Sequence, residues 1–167
     1  MIIENTDLEG VKLIKPTVYE DFRGANFESF NRNTYQEAGI YPMPYFVVDS
    51  ISTSRQHVLR GIHGDNRTTK LISCLYGTIY FVVLDCREGS ETYHQWQSFT
   101  LSDRNKHQVL VPPSFGNAHL VMSEHCVFSY KLDQSYDRDS QFTLRWNDDR
   151  FNIYWPIKNP ILSERDC

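Results

Sequence analysis

Lys70-Leu71-Ile72-Ser73-Cys74-Leu75-Tyr76, then Gly77, then Thr78-Ile79-Tyr80-Phe81-Val82-Val83-Leu84 is the stretch that decides the fold. Two apolar runs rich in β-branched and aromatic residues are parted by a single glycine. Their length and composition suit strands rather than core helices. Gly77 marks a hairpin or a tight bend. The same pattern continues in both directions. Upstream, residues 11–15 form a short run closed by Pro16, residues 27–30 form another, and residues 45–49 follow Pro42 and Pro44. Downstream, a turn at 87–90 precedes the run 96–101, and residues 108–111 end at Pro112-Pro113. Runs at 119–122 and 126–132 flank the polar turn 123–125. One helix of about two turns is expected, capped by Asn33, with Gln36 three residues on and Gly39 ending it. Nothing supplies the 10–15-residue helices that βαβ units need. The expectation is one all-β domain over residues 1–167, a sandwich, jelly roll or small barrel with few short helices.

The composition fits such a domain and excludes several functions. The 167 residues are 40% hydrophobic and 14% aromatic, enough for one core without a staple. Lys and Arg number 17 against 21 Asp and Glu, a net charge of -4. That opposes a nucleic-acid binder relying on a general phosphate field. No apolar run approaches membrane-spanning length and the first residues lack a signal-peptide pattern, so a cytoplasmic location is expected. The four cysteines, Cys74, Cys86, Cys126 and Cys167, form no C-x-x-C pair and read as free thiols.

Chemistry concentrates in a few places. Val58-Leu59-Arg60-Gly61-Ile62-His63-Gly64-Asp65 sets Arg60 and His63 around a glycine, with Lys70 seven residues beyond His63. The arginine suits an anion and the histidine a general base, although an ordinary surface turn reads the same way. His119 opens an apolar strand, where burial favours neutral imidazole, as a site group or as a core histidine. Tyr130 and Tyr136 are two of ten tyrosines, and position alone does not single them out. Asp166 suits a carboxylate that orients a histidine, but by spacing alone it is a terminal charge. Trp155-Pro156 reads as an anchor that returns the tail to the domain. His57, His94, His107 and His125 lack ligand spacing, and no H-x-H pair, P-loop or G-x-G-x-x-G occurs, so neither metal nor nucleotide cofactor is expected.

Together these segments resemble the dTDP-4-dehydrorhamnose 3,5-epimerase family. The resemblance runs from Asp21-Phe22-Arg23-Gly24 and Phe27-Glu28-Ser29-Phe30 through Leu59-Arg60-Gly61-Ile62-His63, Lys70-Leu71 and Arg87-Glu88-Gly89-Ser90. It continues through Pro112-Pro113, Ala118-His119, Tyr130-Lys131, Arg145-Trp146-Asn147-Asp148, Ile153-Tyr154-Trp155-Pro156 and Leu162-Ser163-Glu164-Arg165-Asp166. It implies a cupin-like jelly roll, a homodimer, no metal or organic cofactor, and a nucleotide-linked 4-keto sugar as substrate. It assigns His63 as base, Asp166 as its orienting carboxylate and Tyr130 as the acid on the opposite face, with Tyr136 nearby. Lys70 and His119 would stabilise the enolate, Arg23 and Arg60 would meet the diphosphate, and Glu28 would line the sugar-nucleotide pocket.

The chain departs from the family pattern at informative points. His63-Gly64-Asp65 replaces the common H-F-Q, and Gly116-Asn117-Ala118-His119-Leu120 replaces G-F-A-H-G. Val48 and Ser50 stand where Gln and Asn are usual. With Lys70-Leu71 and Cys74, these variants look like a branch acting on a GDP-linked 4-keto-(6-deoxy)-lyxo-heptose for capsule polysaccharide precursors. Loss of the Phe and Gln after His63 is expected to free room for a larger sugar. The alternatives are the ordinary dTDP-linked 6-deoxyhexose substrate, a metal-dependent cupin enzyme and a non-catalytic sugar-nucleotide binder. Whether C3, C5 or both centres invert stays open.

Overall fold

The computed structural model describes all 167 residues, and it is a two-sheet β-sandwich. The first sheet has the order β1 (Ile2–Asn5), β2 (Lys12–Lys15), β10 (Gln108–Val111), β7 (Lys70–Tyr76), β12 (His125–Leu132), β5 (Val48–Arg55). The second has the order β13 (Phe142–Thr143), β6 (Leu59–Gly64), β11 (Phe115–Val121), β8 (Thr78–Asp85), β9 (Trp96–Ser102). All pairings within both sheets are antiparallel. A separate hairpin, β3 (Val18–Asp21) with β4 (Gly24–Phe27), belongs to neither sheet. This is the expected jelly-roll architecture. No helix is long and apolar enough to cross a membrane.

Alternating side chains of both sheets meet between them. Ile72, Cys74 and Phe128 from the first sheet pack with Phe81, Val83 and Val121 from the second. Burying a side chain of this size contributes about 1.5–3 kcal/mol. The bend at Gly77 is where the chain changes sheets: β7 and β8 are consecutive but not paired, so it is a tight bend and not a hairpin. Gly77 has φ +82°, and a Cβ there would lie 2.2 Å from the His125 carbonyl oxygen. All four cysteines are free.

Three local expectations are corrected. The α-helix α1 (Arg32–Glu37) is capped by Asn31, not Asn33, because the Asn31 side chain accepts from the amides of Asn33 and Thr34. Residues 28–30 leave the hairpin, and the Ser29 carbonyl accepts from the Tyr35 hydroxyl and the Gln108 carboxamide instead. The strand expected at 45–49 lies at Val48–Arg55, where half-buried Ser50, Ser52 and Ser54 alternate with exposed Asp49, Ile51, Thr53 and Arg55, without an apolar face.

Candidate active site

A cavity of about 320 Å³ is lined by side chains from both sheets. Its first wall depends on an irregularity in β6. Asn117 pairs with His63 and His119 with Arg60, so two steps along β11 match three along β6. In a regular strand, residues three apart face opposite ways. The extra residue of the bulge turns both Arg60 and His63 to the cavity. Gly61 permits the bulge: its φ is +119°, and a Cβ would stand 2.5 Å from the Asn117 carbonyl oxygen. Asn117 and His119, two apart, share the same face by ordinary alternation.

The opposite wall comes from β7 and β12. Lys70 and Ile72 project from β7, and Phe128, Tyr130 and Leu132 from β12, again at alternate positions. The chain end closes one side. Val58 and Ile161 form a parallel bridge, the Ile161 carbonyl accepts from the Leu59 amide at 3.0 Å, and the 3-10 turn Glu164–Asp166 follows. The anchor expected at Trp155 is present: its indole donates to the Trp146 carbonyl at 2.7 Å and its ring meets Tyr80 and Trp146 edge-on.

Asp166 is therefore a buried residue and not a loose terminal charge. One carboxylate oxygen lies 2.6 Å from His63 Nε2, and the other accepts from the Ser163 hydroxyl at 2.7 Å. An ionised carboxylate only accepts, so His63 Nε2 carries the proton and Nδ1 keeps its lone pair. Burial lowers the His63 pKa against the opposing pull of Asp166, which keeps the ring neutral and ready to take a proton.

Lys70 is buried, and desolvation brings its pKa down to about 8, with Asp65 working in the other direction. Its Nζ donates to Asn117 Oδ1 at 2.8 Å. His119 is stacked on Phe128, with ring centroids 4.0 Å apart, and its buried Nε2 has no hydrogen-bond partner. Burial holds its pKa down at about 3, so it is neutral at any ordinary pH. No three His, Cys, Asp or Glu side chains converge as a metal site.

Seven of the nine residues expected at the site line this cavity: His63, Asp166, Tyr130, Lys70, His119, Arg60 and Tyr136. Arg23 and Glu28 do not. Arg23 pairs with Asp21 on the β3–β4 hairpin, and Glu28 accepts from the Asn31 carboxamide. The room expected after His63 is also absent. Gly64 lies under Phe142 of β13, whose ring would be 2.3 Å from an added Cβ, so an aromatic from another strand fills that space. Asp65 is buried at the cavity, and its Oδ1 accepts from the amides of Arg67 and Thr68. Asn117 was missed as a site residue because the strand was expected only from residue 119, whereas β11 begins at Phe115 and places Asn117 on the His119 face.

Comparison with known proteins agrees with this geometry. The sequence pattern of the dTDP-4-dehydrorhamnose 3,5-epimerase family matches residues 5–167. A dTDP-4-dehydrorhamnose 3,5-epimerase of Salmonella typhimurium is 37% identical over 171 residues, covering 100% of this chain and 93% of that protein. Among solved structures, a dTDP-6-deoxy-D-glucose-3,5-epimerase of Legionella pneumophila, in complex with dTDP-4-keto-L-rhamnose, superposes with a TM-score of 0.92. It is 37% identical, with 98% of this chain and 88% of that one covered. A dTDP-4-dehydrorhamnose 3,5-epimerase of Bacillus anthracis, with TDP and pyrophosphate bound, gives a TM-score of 0.94 at 34% identity, covering 98% and 95%. With a family match over nearly its whole length and relatives above 30% identity, this chain is an epimerase and belongs to the dTDP-4-dehydrorhamnose 3,5-epimerase family.

Proposed function

We propose that the cavity inverts C3, C5 or both centres of a dTDP-linked 4-keto-6-deoxyhexose without a metal. The observation that carries this reading is the placement of His63 and Tyr130 on opposing sheets, with Lys70 between them in chain order and in the same cavity. A ketone at C4 acidifies the hydrogens on C3 and C5. His63 Nδ1 takes one such proton, and the C–H electron pair moves into the ring as the C4 oxygen becomes an enolate. The Lys70 ammonium meets that charge as it develops, the preorganised stabilisation that gives active sites much of their rate. Tyr130 then delivers its phenolic proton to the opposite face, the C4 carbonyl re-forms, and the carbon is inverted. Solvent exchange returns His63 and Tyr130 to their starting forms.

The dTDP nucleotide is supported by the relatives above, which are named for dTDP-linked sugars. None of the relatives described above is named for a GDP-linked heptose, and the room that the GDP-linked 4-keto-heptose reading called for after His63 is filled by Phe142. That reading remains the second one on one observation: Asp65 and Asn117 present polar groups to the cavity, which suits a more hydroxylated sugar. Arg60 is positioned for the diphosphate, where a guanidinium offers a planar fork of donors. For Arg23 and Glu28 the reading is a homodimer in which a second copy's β3–β4 hairpin and the segment that follows it complete the site. Its support is a hairpin that joins neither sheet and carries Phe22, 99% exposed, at its turn. Solution mass tests the dimer.

The test of the chemistry is proton NMR in D₂O with dTDP- and GDP-linked 4-keto sugars, with and without chelator. Chelator-insensitive deuterium uptake at C3 or C5, faster in the dTDP series, is expected. Faster exchange in the GDP series selects the second reading. No exchange with any keto sugar, in folded protein, overturns both and leaves a sugar-nucleotide binder or a metal-dependent cupin enzyme.

A further inference from the structure

The Lys70 ammonium is an unusual buried charge. Only 8% of the residue is exposed, yet no carboxylate holds it in an ion pair. Its hydrogen-bond partner is the neutral carboxamide of Asn117, which crosses from the other sheet to meet it at 2.8 Å. Asp65 is near enough to raise the affinity of Lys70 for its proton, but its Oδ1 is engaged by the backbone amides of Arg67 and Thr68. Asn117 also stands directly across the β6–β11 pair from His63, so one residue touches the cation and neighbours the base.

The neutrality of that partner matters. A carboxylate at position 117 would hold Lys70 more tightly, but its own negative charge would cancel most of the field the ammonium offers a bound molecule. A carboxamide oxygen fixes the direction of one N–H and leaves the net positive charge intact, with two further N–H donors free. An apolar residue at 117 would leave the ammonium buried without an acceptor, which disfavours its charged form.

We propose that Asn117 is a positioning residue for the epimerisation, a neutral anchor whose Oδ1 holds the Lys70 ammonium in the cavity with its charge available to the C4 oxygen of the sugar. This rests on the epimerase reading and extends it to a residue that touches Lys70. The charged and titratable groups that share the cavity with Lys70 are Asp65 from the β6–β7 turn, Arg60 and His63 from β6, His119 from β11, Tyr130 from β12, and Tyr136, Asp137, Arg165 and Asp166 from the segments after it. The two histidines are held neutral, Asp65 favours the ammonium through its charge, and the Asn117 oxygen is its direct hydrogen-bond acceptor.

The experiment follows the Lys70 side chain by ¹³C-lysine NMR through a pH titration of the full chain, and measures kcat and KM against pH on the preferred keto sugar. Wild type, Asn117→Leu and Asn117→Asp are compared. In Asn117→Leu, loss of a hydrogen bond to a charged group moves the Lys70 midpoint down by about one to two pH units. The alkaline limit of kcat moves down with it, and kcat at neutral pH falls about tenfold with KM changed less than threefold. In Asn117→Asp, nearly the same size and shape, the Lys70 midpoint rises while kcat still falls, because the charge is now neutralised. That opposite pair of shifts is the expected result. An unchanged Lys70 midpoint in both variants, or a loss confined to KM, overturns the proposal. The NMR titration needs no turnover, so it distinguishes this failure from a wild type that exchanges no sugar proton. If Asn117→Leu does not fold, Asn117→Asp alone decides: a raised midpoint with lowered kcat supports the anchor, and an unmoved midpoint overturns it.

Discussion

Two buried polar regions of this molecule are built on opposite plans. At the end of β8, Asp85 is fully buried and saturated with partners. It accepts from the Arg87 amide and guanidinium and from the hydroxyls of Ser90 and Thr92. Burial works to raise its pKa, but those hydrogen bonds overcome burial and hold the carboxyl well below the usual range. In the cavity, Lys70 has one neutral acceptor and His119 Nε2 has none. Both are shifted by desolvation that nothing in the protein offsets fully. A polar group whose partners all lie in the chain is a structural element. One that is buried and left short is held ready for a partner from outside, because leaving it short costs stability.

The contrast predicts a double dissociation. The largest effect is expected from His63→Ala, which removes the base: sugar C–H exchange falls about a thousandfold, within the usual range for a general base, with ligand affinity kept within about tenfold and stability little changed. Tyr130→Phe in the same NMR assay keeps deuterium uptake at the first centre and loses inversion. Substantial exchange in His63→Ala, or normal inversion in Tyr130→Phe, breaks the assignment. Asp85→Ala is the converse. Breaking a buried, hydrogen-bonded charge pair costs about 3 kcal/mol of stability in chemical denaturation, while kcat per folded molecule is unchanged. A catalytic defect in that variant would show that the two regions are not independent.

The same contrast explains what the sequence made legible. The bounds of β7 and β10 were readable because each is apolar and closed by Gly77 or Pro112. The strand β5 was displaced because its half-buried face is made of serines and carries no apolar stripe. At the site, residues of suitable type were visible, but their convergence was not. Asp166 lies 103 positions from His63, and only the pairing of Ile161 beside Val58 brings it home. Arg60 and His63 are spaced to face apart, and the bulge that reunites them is signalled by nothing beyond Gly61. Family resemblance supplied those roles. It also misled at Gly64, where the apparent loss of bulk is made good by Phe142 from a strand 78 positions away.

The smallest effect separates the two plans by pH. His119 binds its proton at about 3 in the folded state against 6.5 for a free imidazole. Between those values the unfolded chain holds a proton that the folded chain does not, so stability rises with pH across the window and is lost as pH falls through it. Asp85 is shifted in the same direction but in a lower window: its contribution is present in full above about 3.8 and is lost only as pH falls below that. From pH 4 to 6 acid therefore acts through His119 and leaves Asp85 untouched. His119→Phe, which keeps a ring against Phe128, is expected to flatten the stability profile there by up to one proton, about 1.4 kcal/mol per pH unit. Urea unfolding at pH 4, 5 and 6 measures it. Equal slopes in the two proteins would mean that His119 gains a proton partner in the fold after all, and the distinction between a saturated and an unsaturated buried group would fail at its clearest example.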